Sequence, residues 1–157
     1  MNTKHSKKGH IEAAASHHEQ AARFHREASR SFEAGKDYDH AAHQAVMAHG
    51  HGLHAIDHAH DAGAHTTGTP PITPPSTGSG ASTATAAFHH ATAAQLHDQA
   101  AQHMRNAAKH FDQDRSAVAH DAQQALALAL RALSHSNEAA KQHVKTLLAS
   151  AAASDAT

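Results

Sequence analysis

The sequence predicts an all-α fold: a four-helix bundle made of two tandem antiparallel αα-hairpins. Three observations point there. Long alanine- and histidine-rich segments place like residues three and four positions apart, the spacing of one helix face. All four prolines fall in a single stretch, 66–83 (TTGTPPITPPSTGSGAST), which reads as an extended linker rich in Pro, Gly, Ser and Thr. The segments on either side resemble each other. HEQAARFHREASRSF aligns with HDQAAQHMRNAAKHF, putting His18 on His97, Glu19 on Asp98, Arg26 on Arg105 and Phe32 on Phe111. That is the mark of a duplicated hairpin.

Residues 1–8, with Lys4, Lys7 and Lys8, are expected to be a disordered basic tail. A histidine-rich hairpin follows at 9–65. Its first helix runs from about residue 9 to 34, where Gly35 suits the left-handed position that ends helices. Asp37 can cap the second helix, which continues to about residue 64. The second hairpin occupies 84–153, with one helix beginning near Ser82 to Thr85 and ending around Gln113 and the next running from about Ser116 to Ala152, and both hairpins share one bundle. Heptad stripes support the pairing. The first helix shows Ala14, His17, Ala21, Phe24, Ala28 and Ser31; the third shows Ala93, Leu96, Ala100, His103, Ala107 and His110. The fourth shows Gln123, Leu126, Leu130, Leu133, Asn137, Ala140, Val144 and Leu147, and Leu126, Leu128, Leu130 and Leu133 are expected in the core. Alanine at alternate stripe positions permits close interhelical approach.

Composition excludes several function classes. Only 39% of the 157 residues are hydrophobic and 3% aromatic, so a core must come from closely packed helices. The absence of cysteine excludes disulfides and thiolate metal sites. A formal charge of −1 gives no reason to expect a nucleic-acid partner. No run approaches the ~20 apolar residues of a membrane span, and the N-terminus has no apolar signal core. The expected location is the cytoplasm.

The 21 histidines carry the chemistry. Stepping by three or four along the second helix gives His40, His43, Met47, His51, His54, His58, Asp61 and His65, all on one face. Neighbours at this spacing can chelate one ion. Imidazole suits zinc, copper, nickel and iron, thioether adds softness and carboxylate hardness. Further ligands are expected from His10, His17, His18 and His25 on the first helix. The third offers His89, His90 and Met104 as candidates, besides His97, His103 and His110, which are expected to contribute. His5, His49, His120, His135 and His143 read individually as solvated or hydrogen-bonded residues. At the stripe positions the fourth helix carries mostly leucine, alanine or serine, so it should support rather than ligate.

The stretch HHEQAARFHREASRSFEAGKDYDHAAHQAVMAHGHGLHAIDHAHDA resembles a group of small alanine- and histidine-rich bacterial proteins with HHE-x-AA units and an AHGH-x-LHA segment. The resemblance covers about residues 10–65 and implies a helical hairpin; the group brings no assigned activity. The function expected from the residues is a multi-site buffer or store for a borderline divalent metal, Ni, Zn or Cu. The alternative is a structural or interaction bundle, pH-responsive through its histidines. A ferritin-like metalloenzyme ranks third, because a long row of ligands favours capacity over the single open site that catalysis needs. The expected partners are therefore metal ions, with a homodimer through helix packing.

Overall fold

Gly35, at φ 62°, ends the first helix, and Asp37, at φ 54°, starts the second by accepting a hydrogen bond from the His40 amide at 3.0 Å. Both residue types tolerate the left-handed region, so the αα-turn takes the form its residues suggest. The computed structural model describes residues 3–63 and 85–155. Its helices are α1 (Thr3–Ala34), α2 (Tyr38–Asp61), α3 (Ala86–His110) and α4 (Arg115–Asp155). Thr85 Oγ1 accepts from the Phe88 amide at the start of α3, and Asp114 Oδ1 accepts from Ser116 and Ala117 ahead of α4. The chain is an all-α four-helix bundle.

Four boundaries differ from expectation by three residues or more; α3 stops at His110 and not near 113, and α4 runs to Asp155 and not near 152. α1 begins at Thr3 and not near residue 9, so the expected disordered tail is, from Thr3 onward, helix. Lysine is a good helix former and Gly9 costs only about 1 kcal/mol, too little to stop a helix of this length. α2 stops at Asp61, short of residue 64, because Gly63 turns left-handed at φ 58° and donates to the His60 carbonyl at 2.8 Å. The 66–83 linker and His65 lie outside the described residues.

α1 packs along both α2 and α3, and α3 packs along α4, whereas α2 and α4 meet only narrowly. The seams are lined by alanine: Ala14, Ala21 and Ala28 on α1, Ala93, Ala100 and Ala107 on α3, Ala122, Ala129 and Ala132 on α4. In α2 the buried face is Ala41, Ala48, Gly52, Ala55 and Ala59. Each of the last four follows one position after a member of the Met47, His51, His54, His58 row. The row therefore lies about 100° around the helix from the centre of the core. A displacement of the same size and opposite sense corrects the fourth helix. Its buried positions are Val118, Ala122, Ala125, Ala129, Ala132, Ser136 and Ala139, while Leu126, Leu130 and Leu133 are only half-buried and Val144 and Leu147 exposed. Alanine wins the seam because it lets backbones approach; leucine is left to flank it.

The largest fully buried side chains are Ile11, Met104, His18, His25, His90 and His97. Four of these six are imidazoles, so histidine is the core's main bulky filler. Their arrangement follows the duplication. His18 meets His97, its own counterpart, and Arg26 pairs with Asp98 while Arg105 pairs with Glu19. Swapping each residue for its counterpart converts one ion pair into the other. The antiparallel α1/α3 seam is therefore a local two-fold, with His18 and His97 on its axis.

Candidate metal centre

The histidines of α1 point into two different seams. Positions 10 and 17 face α2; positions 18 and 25, one residue further round the helix, face α3. On the first side His10 Nδ1 lies 3.0 Å from His58 Nδ1, and His17 Nδ1 lies 2.9 Å from His51 Nδ1. The His17 ring also stacks on His54 and His58, each with centroids 5.3 Å away, and Phe24 stacks on His51 at 5.4 Å. Asp61, one turn beyond His58, brings a carboxylate to the first pair. His10, His58 and Asp61 place their ligand atoms within 4.8 Å of one another, the one such group of three among the described residues. His10 and His58 are half-buried and Asp61 exposed, so solvent reaches the group.

On the second side His18 Nδ1 lies 3.1 Å from His97 Nδ1, and His25 Nδ1 lies 3.0 Å from His90 Nδ1. His25 also stacks on His97 with centroids 5.6 Å apart. In each pair one ring donates its Nδ1–H to the bare Nδ1 of the other, which carries its own proton on Nε2. The outer nitrogens Nε2 of His25 and His97 are buried without a partner. His97 is also the reason for a glycine at 52, since a Cβ there would stand 3.1 Å from its Cε1.

Burial separates the two seams electrostatically. Loss of hydration is the main cause pushing His18 down to about 3, His25 to about 2, and His90 and His97 to about 4, with neighbouring imidazoles adding to it. His17 and His51 are lowered as well, first by partial burial and then by the imidazoles beside them. All six are neutral at pH 7 and hold nitrogen lone pairs that a proton or an ion can use.

The fifteen ligands expected from the sequence thus divide. His10, His17, His51, His54, His58 and Asp61 come together. His18, His25 and His97 are drawn into the α1/α3 core instead. His40, His43 and Met47 stay exposed toward the start of α2, where no three ligand atoms converge among the described residues, and His110 is exposed at the end of α3. His103 bonds to Asp121 of α4 at 2.8 Å. Three of the histidines read individually as solvated or hydrogen-bonded are placed as follows. His135 Nδ1 lies 3.0 Å from His89 Nδ1, His143 packs edge-on against Phe32, and His49 lines a cleft between α2 and α4. The signal for the buried pairs was present in the sequence. His18 and His25, like His90 and His97, are spaced by one heptad, which matches in an antiparallel seam.

No family model, curated protein or solved structure matches this chain. Among the described residues no helix is long and apolar enough to cross a membrane.

Proposed function

We propose that the chain binds divalent transition-metal ions along the α1/α2 seam and acts as a histidine-based store or buffer for Ni, Zn or Cu. The observation that carries this reading is the convergence of His10, His58 and Asp61, continued one heptad along by His17, His51 and His54. Two imidazole nitrogens on one tetrahedral ion, at about 2.05 Å each, stand about 3.3 Å apart. The His10–His58 separation of 3.0 Å needs only a few tenths of an ångström of opening. The ion would take the place of the proton between the two rings, and Asp61 would supply an oxygen and a negative charge. A row of ligands open to solvent suits loading and release more than turnover.

Calorimetric titration of untagged protein with Zn²⁺ and Ni²⁺ at about pH 7.5, where imidazole is deprotonated, tests this. More than one equivalent should bind, and replacing His10, His58 and Asp61 together by alanine should remove the tightest event while leaving helicity intact. Binding no tighter than about 1 mM in the parent protein would remove the reading.

A second reading, a bundle whose fold responds to pH, is favoured by a different observation: the four imidazoles buried neutral in the α1/α3 seam.

A further inference from the structure

The bundle fails to close between α2 and α4, and a cavity of about 300 Å³ opens there. An apolar cavity of about 150 Å³ is enough to hold benzene, so this one has room for two fused rings. Its walls are alanines, Ala42 and Ala45 on α2 facing Ala139 and Ala140 on α4. Val46 and Val144, 69% and 52% exposed, stand at the mouth. The inner end is aromatic. Phe32 stacks on His90 with centroids 5.4 Å apart and planes 10° from parallel, and His143 meets Phe32 edge-on at 5.1 Å. His49, Ser136 and Asn137 add hydrogen-bonding groups to an otherwise apolar lining, which contains no lysine, arginine, aspartate or glutamate. His90, buried and held neutral at pH 7, supplies no charge.

We propose that this cleft is a binding site for a small neutral aromatic molecule of one or two rings bearing a single hydrogen-bonding group, of the phenol or indole type. Flat alanine walls admit a planar ring, the Phe32–His90 stack offers it a face and an edge, and the imidazoles, hydroxyl and amide can meet its polar atom. Apolar walls with a few convergent polar groups are the usual form of a small-molecule site. Among the described residues no three metal-ligand atoms converge here, so the site is separate from the α1/α2 row.

The full chain is titrated with indole, phenol and benzoate and followed by two-dimensional amide NMR. Indole and phenol should give saturable shifts at Phe32, Val46 and Val144 with Kd below about 1 mM, and benzoate should bind at least about tenfold more weakly for want of a cation. Ala45→Phe and Ala140→Phe each fill the cleft and should weaken indole at least about tenfold, with helicity and Zn²⁺ stoichiometry unchanged. Ala140 is exposed, so its variant keeps the test open if Ala45→Phe does not fold. Shifts that never saturate, indole binding that survives a folded Phe variant, or benzoate binding as tightly as indole would each overturn the proposal. So would a dimer in sedimentation that Ala45→Phe dissociates, since a second copy would then cover the cleft.

Discussion

α1 uses the same residue type, repeated every seven positions, on two neighbouring faces, and the outcomes are opposite. His10 and His17 sit half-exposed against α2; His18 and His25 are buried against α3. One step in sequence, about 100° around the helix, separates a group open to ions from a group sealed in the core. Residue identity sets what an imidazole can do, but the neighbouring helix sets which of those things it does. Between α1 and α3 it replaces the leucine that an alanine-rich core lacks. Between α1 and α2 it keeps lone pairs within reach of solvent.

The contrast is sharpest in acid. The folded-state values of His25, His90 and His97 are depressed, so unfolded chains take up protons below about pH 6.5 while the folded core refuses them until about pH 4 or lower. Stability is therefore complete above pH 6.5 and lost as pH falls toward the folded values. Each such histidine can contribute up to about 1.4 kcal/mol per pH unit, about 4 kcal/mol for the three together. Domains of this size hold only about 5–15 kcal/mol, so cooperative loss of helicity is expected between about pH 6 and 4.5. Circular dichroism against pH on metal-free protein reads it directly. Replacing His25 and His90 together by leucine removes both partners of one pair, so no orphan is left, and should lower the acid midpoint by about half a unit or more. The same double change at His10 and His58 should leave the midpoint in place. Equal shifts from the two doubles would erase the distinction between the seams.

Two glycines of α2 sharpen the comparison at smaller scale. A Cβ at Gly52 would crowd His97, whereas nothing lies within 4 Å of one at Gly50. Gly50→Ala should stabilise by about 0.5–1 kcal/mol through helix propensity. Gly52→Ala gains the same propensity but forces a buried ring to move, and overpacking of about 1–3 kcal/mol should make it a net loss. Thermal melts of the two variants side by side decide the matter, and similar melting temperatures would mean that the His97 contact is soft.

How much of this could be read in advance follows from the same rotation. Gly35 and Asp37 announce the turn because left-handed backbone and capping have few other users. The two hairpins were visible in the HEQAA and HDQAA segments. The choice between adjacent faces was not, because alanine stands on both: Ala14 beside Ala15, Ala21 beside Ala22, Ala93 beside Ala94. Hydrophobicity cannot tell which of two alanine stripes a neighbour will cover, so His17 and His18 looked equivalent as ligands. Leu126, Leu130 and Leu133 looked like core for a related reason. Their apolar stripe is real, but α2 stands too far from α4 to cover it fully.

The smallest effect belongs to the ion pairs at the centre of the α1/α3 seam. Arg26–Asp98 and Arg105–Glu19 leave their side chains 42–50% exposed, so each should add only about 0.2–1 kcal/mol in a double-mutant cycle, and less in salt. Their reciprocity predicts that the two cycles agree within about 0.5 kcal/mol. A large disagreement would show that the two-fold is geometric and not energetic.

That two-fold has a consequence for how the chain can vary. In an assembly of two identical hairpins, every substitution is made twice, and a histidine row on one outer helix would be copied onto the other. Here the hairpins are joined in one polypeptide, so each position drifts alone. His18 and His97 remain tied to each other across the axis, but α4 is free to trade imidazoles for leucine and alanine while α2 keeps them. Covalent linkage thus lets equivalent helices of the two hairpins carry different residues, histidine along α2 and mostly leucine and alanine along α4.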